Sequence, residues 1–199
     1  TVAAPEPTPA PVRPPDRSRR RAATSIVSGA QRLVGQREMR YGEERYYPDC
    51  VGLVEAAYAT VDIELVRSIP RLYDQAWEKA VFHQQPIPHP GDIVFFDDTH
   101  DRNRNGRRDD PLTHVAVVET VEEDGTIVMV HLGSKGKPVT RKRMNLLHPH
   151  KTRSDDGAVI NQHLRATSDR DGGPTLASEL WRGFGSFWAL SPEELAVTP

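Results

Sequence analysis

Cys50, His114 and His131 are the residues of this sequence whose side-chain types could together perform nucleophilic catalysis. A thiol attacks a carbonyl carbon when a general base takes its proton and a third polar group orients that base. Cys50 is the only cysteine among the 199 residues, so it forms no internal disulfide and belongs to no multi-cysteine metal site. The local sequence leaves two interpretations open: an activated nucleophile, or a small residue that packs in a core.

The position of Cys50 favours an activated thiol. It follows Pro48 and Asp49 and precedes an apolar run with helical spacing over residues 51–58. Pro48 lacks an N–H and disfavours helical backbone in the residue before it, and Asp49 is of a type that caps helix N-termini. Cys50 is therefore predicted in the first helical turn, where free N–H groups and the helix dipole stabilise a thiolate.

His114 and His131 differ from the other histidines because each borders or interrupts an apolar strand. If the intervening hairpin turns at residues 122–125, Ala116 lies opposite His131 and His114 points to the same face. The imidazoles are then diagonal neighbours with backbones roughly 7–8 Å apart. A tighter turn at 124–125 slips the register by two residues and keeps this arrangement. The remaining histidines lie in polar or proline-rich stretches and are predicted at the surface: His83, His89, His100, His148, His150 and His163.

The hydrophobic pattern predicts the elements that position these residues. Apolar spacing indicates helices over 22–36, over 50–60, and from Ser68 onward with Pro70 in the first turn. Apolar runs bounded by turn residues indicate strands over 93–96, 114–121, 126–131 and 137–143. Helices precede an antiparallel sheet, so the predicted fold class is α+β, with the N-terminal helices packed on the sheet.

Composition divides the chain into three parts. Residues 1–21 begin with a proline-rich stretch and end in an arginine cluster, and they are predicted to form a disordered linker. Residues 22–150 are predicted to form the domain that holds the candidate catalytic residues. The C-terminal segment, residues 151–199, carries several large aromatic side chains. We expect it to pack on the domain, with a partner-binding patch as the alternative.

Charge and hydropathy exclude some classes of partner. The formal net charge is -2 and the sequence pI is about 6.4, so nucleic acid is not expected as a partner. No apolar run approaches the length of a transmembrane helix. The proline-rich start is typical of chains tethered to something upstream, which favours a location in the bacterial cell envelope or outside the cell. A monomer is expected.

Four motifs in consistent order resemble those of the NlpC/p60 peptidases. Residues 49–54 (Asp-Cys-Val-Gly-Leu-Val) are similar to the Asp-Cys-Ser-Gly-hydrophobic-Val motif of that family, and residues 90–96 to its Pro-Gly-Asp-Leu-Val-Phe-Phe motif. Residues 114–118 resemble its base-bearing strand, and residues 130–134 the strand with its third, polar catalytic residue. The related CHAP amidases are also similar over residues 117–127, but their third residue is usually acidic, so His131 favours the NlpC/p60 side.

This resemblance implies a papain-like NlpC/p60 fold and hydrolysis of amide bonds in bacterial peptidoglycan peptides. It implies that Cys50 attacks the carbonyl, that His114 takes and returns the proton, and that His131 orients His114. The Cys50 N–H would help to hold the oxyanion. No cofactor is required for this chemistry.

Two residues depart from the family pattern. Val51 stands where a serine is usual, and Met39 stands where the family has a tyrosine at the oxyanion site. Tyr41, Tyr46 or Tyr47 could replace that tyrosine. Tyr41, Asp49 and Tyr47 are taken as the candidates for substrate and oxyanion contacts. The departures also favour a rival hypothesis, a catalytically weak or inactive cell-wall-binding or scaffold module of the same fold.

A polar stretch between two predicted strands, residues 97–110, forms what we call the insert. Asp101, Asn103, Asn105 and Gly106 match the first half of a calcium-binding loop, which places oxygens at positions one, three and five and glycine at six. Position twelve is Leu112, so Asp109 or Asp110 would complete the ligand set. We expect a structural calcium ion here; the alternative is a solvated turn, since the insert also carries four arginines.

Overall fold

The computed structural model describes residues 17–134, 136–166 and 173–196. These ranges contain helices α1 (Arg17–Leu33), α2 (Cys50–Tyr58), α3 (Ile69–Glu78) and α4 (Pro192–Ala196). Their strands are β1 (Met39–Tyr41), β2 (Glu44–Tyr46), β3 (Phe82–His83), β4 (Ile93–Phe96), β5 (His114–Val121), β6 (Ile127–His131), β7 (Thr140–Met144) and β8 (Trp181–Gly185). Helices packed on an antiparallel sheet confirm the α+β prediction. None of the helices in these ranges is long and apolar enough to cross a membrane.

The first helix begins earlier than its apolar spacing predicted. Residues 17–21, assigned to the linker, form the first turns of α1. Arginine is a good helix former, so the basic cluster extends the helix whose buried residues begin at Ile26. Residues 1–16 of the predicted linker lie outside the described residues.

The main sheet has six antiparallel strands in the order β3-β8-β4-β5-β6-β7. Its β8 comes from the C-terminal segment, which therefore supplies an interior strand and does more than pack on the domain. The sequence concealed this strand because Gly183 and Gly185 weaken the strand pattern. A Cβ atom on Gly183 would lie 2.3 Å from the Phe82 ring, so a glycine lets the neighbouring strand approach.

The two faces of the sheet bury two separate clusters. On one face, Val115 and Val117 pack with residues of α1 and α2. On the other face, Ala116 and Val118 pack with residues of the C-terminal segment, among them Ala177, Leu180 and Phe184. The C-terminal segment thus covers the face of the sheet that the helices leave open.

Asp92 connects the start of β4 to three other parts of the chain. Its fully buried carboxylate accepts hydrogen bonds from the Ser186 hydroxyl at 2.6 Å and the Trp188 indole at 2.7 Å through Oδ1. Oδ2 accepts from the His89 backbone N–H at 2.8 Å and lies 3.1 Å from His83 Nε2. His83 is therefore a buried residue of β3, only 2% exposed, and the prediction of a surface position was wrong. A buried carboxylate needs such donors to offset its desolvation.

Candidate active site

Cys50 is the first residue of α2, as the local sequence predicted. Asp49 is the N-cap, and its Oδ1 accepts a hydrogen bond from the Gly52 N–H at 2.8 Å. Asp49 Oδ2 also binds the Arg67 guanidinium at 2.6 Å. The backbone N–H groups of Val115 and of the first turn of α2 lower the pKa of the half-buried Cys50 thiol. These donors favour the thiolate form.

Gly52 is required by the approach of the preceding chain to α2. A Cβ atom at this position would lie 1.9 Å from the carbonyl oxygen of Tyr47, a backbone atom that cannot turn aside. The glycine of the motif therefore lets residues 47–49 lie against the helix start. This approach fixes where the first turn, and with it the thiol, is placed.

His114 and His131 form a buried hydrogen-bonded pair. His114 Nε2 lies 3.2 Å from His131 Nδ1, and the rings meet edge to face at 87° with centroids 5.4 Å apart. Both side chains lie on the face of the sheet that the C-terminal segment covers, because His114 pairs in register with Phe96 of that face. The sequence prediction that they are neighbours on one face is confirmed.

The register that produces this pair depends on a β-bulge. Next to the turn Val121 pairs with Ile127, one residue away from the predicted register. The pairing shifts between Val118 and Thr120, after which Val117 lies opposite Val130. The extra residue is Glu119. Without the bulge, continuing the first register would set His131 opposite Val117, on the other face from His114.

Cys50 and His114 line the same cavity of about 800 Å³. Its other walls are Thr99 and His100 of the insert, Thr113, the loop at 132–134, and residues 163–166 of the C-terminal segment. His131 is not among the lining residues, and its contact with the site is the hydrogen bond to His114. The insert was predicted near the mouth of the cleft. Sequence reasoning missed the C-terminal wall, because its residues belong to no motif and reach the site only through the tertiary fold.

Burial shifts the three candidate catalytic groups towards their neutral forms. Desolvation raises the pKa of the Cys50 thiol, and the Asp49 carboxylate adds to the rise. Burial lowers the pKa of His114 well below its usual value, and His131 and His100 act in the same direction. Burial, with a contribution from Lys142, lowers the pKa of His131 to about 4. At neutral pH the resting site therefore pairs a thiol with neutral imidazoles.

Of the three residues predicted to contact the substrate or the oxyanion, only Asp49 lines this cavity. Tyr41, 40% exposed, ends β1 and lines two other cavities. Tyr47, 53% exposed, lies under the Arg67 guanidinium, 5.0 Å from it. Met39 is buried in the core. Tyr41 belongs to the β1–β2 hairpin and Tyr47 follows it, and neither lines the cavity, a placement that sequence spacing did not reveal.

The insert satisfies its backbone with its own acidic and amide side chains. Asp101 accepts hydrogen bonds from the backbone N–H groups of Asn105 at 3.1 Å and Gly106 at 2.8 Å. The side-chain amides of Asn103 and Asn105 each lie 3.0 Å from the Asp109 carboxylate. The predicted ligands at 101, 103, 105 and 109 are thus brought together. Asp110 instead is buried and accepts from the Arg102 N–H at 2.9 Å.

A second cluster of ligand-type side chains lies away from this cavity. Among the described residues, ligand atoms of His83, His89 and Asp92 lie within 4.8 Å of one another. Each oxygen of Asp92 already has two hydrogen-bond partners. We therefore interpret this cluster as a structural network that joins β3, β4 and the C-terminal segment.

The part of the chain that holds this site is similar to a known family. Residues 40–132, which contain Cys50, His114 and His131, match the family model described as the CHAP domain. The chain has no match among curated proteins. A solved structure from Staphylococcus aureus subsp. aureus Mu50, described as similar to a lipoprotein of the NLP/P60 family, is 21% identical with a TM-score of 0.38.

That likeness covers 60% of this chain and 36% of the staphylococcal chain, so the present chain spans about a third of that protein. Its TM-score is too low to carry an argument about fold or function. The family model includes the capped helix start and both histidine strands. Over residues 40–132, just under half of the chain, this protein is therefore similar to the CHAP domain.

Proposed function

We propose that this protein is a cysteine peptidase or amidase that hydrolyses amide bonds in bacterial peptidoglycan peptides. The observation that carries the proposal is the 3.2 Å hydrogen bond between His114 and His131, beside the cavity at which Cys50 begins α2. The similarity of residues 40–132 to the CHAP domain, a family of the peptidoglycan-hydrolase type, supports it. All three residues lie within residues 22–150, the part of the chain to which we assign catalysis.

The proposed role of His114 as the base determines which nitrogens of the imidazole pair carry hydrogen. His114 can act as a base through Nδ1 only if its Nε2 carries hydrogen, and that hydrogen then points at His131 Nδ1. His131 Nδ1 is the acceptor, so the hydrogen of His131 resides on Nε2. His131 thus selects the tautomer of His114 that leaves the Nδ1 lone pair for the thiol proton.

In the proposed reaction, the Cys50 sulfur attacks the scissile carbonyl carbon while His114 takes the thiol proton. His114 then gives this proton to the leaving amine. In the second half of the reaction His114 takes a proton from water, which attacks the thioester carbon, and the proton returns to the departing Cys50 sulfur. The backbone N–H of Cys50 and the positive end of α2 stabilise the oxyanion. We assign no cofactor to the chemistry, and we place the protein as a monomer in the cell envelope or outside the cell.

A digest of purified peptidoglycan tests this function directly. We expect the parent protein to release peptide fragments that mass spectrometry assigns to cleavage of one amide bond, and the Cys50→Ala variant to release none. Equal fragment patterns for the parent and the variant would reject the cysteine mechanism.

A cell-wall-binding or scaffold module that has lost activity is the second candidate. It is favoured by the burial that raises the pKa of the Cys50 thiol. Labelling with a thiol-directed electrophile at neutral pH separates the two candidates, because Cys50 is the only thiol. A catalytic Cys50 reacts much faster than a buried thiol, and its rate falls in His114→Ala.

A further inference from the structure

Lys142 lies beside His131 on the same face of the sheet. In the pairing of β6 with β7, His131 lies opposite Thr140 and Met129 lies opposite Lys142. Residues two apart on a strand point to the same face, so Lys142 is a diagonal cross-strand neighbour of His131, a separation that long side chains bridge. Because β7 flanks β6 on the side away from β5, His131 lies between the strand of His114 and the strand of Lys142.

The C-terminal segment holds the amine of Lys142 in place. The half-buried side chain donates a hydrogen bond from Nζ to the backbone carbonyl oxygen of His163 at 2.6 Å, and His163 lines the Cys50 cavity. Burial lowers the pKa of Lys142 from an ordinary value of about 10.4, and the amine stays cationic at neutral pH. Its charge therefore lies between the sheet and the cavity wall, where water screens it less than at an exposed surface.

Lys142 is the charged neighbour that acts on His131 from β7. After burial, its charge is the cause that lowers the pKa of His131. Arg141 and Arg143 alternate to the opposite face of β7, and each binds a carboxylate there. The other titratable or charged side chains around the histidine pair line the Cys50 cavity: Asp49, Cys50, His100, His114, His163 and Arg165.

A cation at this position disfavours a second proton on His131. A protonated His131 carries hydrogen on both ring nitrogens, so its Nδ1 could no longer accept from His114 Nε2, 3.2 Å away. His114 would then turn an Nε2 lone pair towards His131 and carry its own hydrogen on Nδ1, the nitrogen that must be free to take the thiol proton. The charge of Lys142 opposes this exchange.

We propose that Lys142 is a positioning residue, whose charge keeps His131 a hydrogen-bond acceptor and so fixes the hydrogen of His114 on Nε2. Lys142 does not line the cavity and acts through the two imidazoles. This inference rests on the proposed peptidase function, in which that tautomer makes His114 the base. Lys142 and His163 both lie beyond residues 40–132, so this support is outside the segment that matches the CHAP domain.

Nitrogen NMR of the histidine rings in a Cys50→Ala background tests the positioning role without turnover. From its pKa of about 4, His131 should be about one-tenth protonated at pH 5 when Lys142 is present. In Lys142→Met it should be about half protonated, because removal of a neighbouring like charge raises the pKa by about one unit. Lys142→Arg keeps the charge and should keep the lower fraction.

Lys142→Gln separates the charge from the bond to His163. Its amide can still donate to a carbonyl oxygen but carries no charge, so His131 should titrate as it does in Lys142→Met. In both uncharged variants the hydrogen of His114 should leave Nε2 in the same pH range in which His131 becomes protonated. A titration of His131 that is unchanged in Lys142→Met and Lys142→Gln would overturn the proposal.

The pH profile of kcat/KM extends the test to catalysis, on the peptide that the peptidoglycan digest identifies. In Lys142→Met the acid limb should move up by about one pH unit, while the rate at pH 8 stays at the parental value. Lys151→Met is the matched control, because Lys151 is exposed and outside the cavity, and it should keep the parental profile. An equal loss of rate at every pH would show that Lys142 only supports the fold, which would overturn the positioning role.

The two measurements separate failure of this inference from failure of the peptidase function. A His131 titration that shifts in Lys142→Met, beside a parent protein that releases no peptide, would uphold the positioning role and reject the peptidase. An unshifted titration beside normal turnover would reject the positioning role and leave the peptidase standing.

Discussion

His114 Nε2 lies 3.2 Å from His131 Nδ1, and the two imidazoles are buried on the face of the sheet opposite the core of α1 and α2. Cys50 begins α2, on the helical side, and the backbone N–H of Val115, the residue that follows His114, lowers the pKa of its thiol. The candidate nucleophile and the candidate base thus meet at the first residues of β5. Each comes from a different layer of the fold.

Replacing Cys50 by alanine should abolish hydrolysis and leave the fold intact. The thiol is half-buried, and alanine keeps the cap, because Asp49 bonds to the backbone of Gly52. Peptidoglycan hydrolysis measured beside circular dichroism and the melting temperature checks both parts. Loss of activity together with loss of the melting transition would contradict the second part.

Replacing His114 by alanine should lower activity far more than replacing His131. A general base contributes on the order of 10²–10⁴-fold because it moves a proton in every turnover, whereas His131 only fixes the tautomer of His114. His131→Asn should recover part of the activity that His131→Ala loses, since an amide oxygen accepts the same hydrogen bond. Initial rates of hydrolysis of one peptide at pH 7, measured for His114→Ala, His131→Ala and His131→Asn, test this prediction. Equal activity of His114→Ala and His131→Ala would reject the assigned roles.

Local signals in the sequence were sufficient to predict the position of Cys50, the candidate nucleophile. Asp49 caps α2 through its own side chain, and Pro48 precedes it, so the start of the helix depends on neighbours in the chain. The strand that begins at His114 was predicted for a similar reason, because its apolar run extends as far as Val118. Interactions between residues this close to one another in the chain can be recognised in a single sequence.

The register behind the histidine pair could not be predicted from such signals. The bulge at Glu119 is stabilised by partners distant in sequence: Arg141 of β7 at 2.6 and 2.7 Å, and Gln31 of α1 at 2.9 Å. The predicted pairing of Ala116 with His131 agrees with the structure only because this bulge offsets a turn that is one residue longer than expected. The C-terminal wall of the cavity was missed for the same reason, since β8 is fixed by pairing with β3 and β4.

Stability should fall as the pH is lowered from about 6.5 to about 4. The pKa of His131 is about 4 in the folded protein and near 6.5 when exposed, so the unfolded chain binds more protons in this window. Stability is fully present above pH 6.5, and the loss is on the order of 3 kcal/mol by pH 4, about 2 kcal/mol of it by pH 5. Urea unfolding of Cys50→Ala at pH 7 and pH 5 measures this fall.

The same unfolding experiment on His131→Asn isolates the contribution of this group. Its loss of stability between pH 7 and pH 5 should be smaller by about 2 kcal/mol, because the asparagine does not titrate. His148→Asn, an exposed histidine outside the site, should behave like the parent. A fall of equal size in His131→Asn and the parent would show that His131 is not the group responsible.

Gly52→Ala should destabilise the protein, although alanine is the better helix former. Helix propensity alone predicts a gain of up to about 1 kcal/mol. The new Cβ would instead lie 1.9 Å from the Tyr47 carbonyl oxygen, and such overpacking costs about 1–3 kcal/mol. Denaturant unfolding gives the sign, and slower thiol labelling of Cys50 would report displacement of the first turn. A stabilised variant would contradict the close approach of residue 47.

Calcium should raise the melting temperature by ordering the insert. Asp101, Asn103, Asn105 and Asp109 already converge, and a cation bound only by the folded form stabilises it by roughly 2.7 kcal/mol at a hundredfold excess over its dissociation constant. Scans with millimolar calcium and with a chelator should differ in the parent and hardly at all in Asp101→Ala. Asp155→Ala, an exposed acidic residue outside the insert, is the control and should keep the parental shift.

The identity of the ion provides the second half of this calcium test. Magnesium should stabilise less, because it demands a tighter octahedral shell than this loop of carboxylates and amides provides. The labelling rate of Cys50 should not change with calcium, since the ion would support the insert and take no part in the attack on the carbonyl. Asp101 also caps two backbone N–H groups of the loop, so Asp101→Ala should melt lower even in chelator, and only the calcium-dependent difference is diagnostic. Identical melting curves of the parent with calcium and with chelator would leave the insert as an ordinary solvated turn.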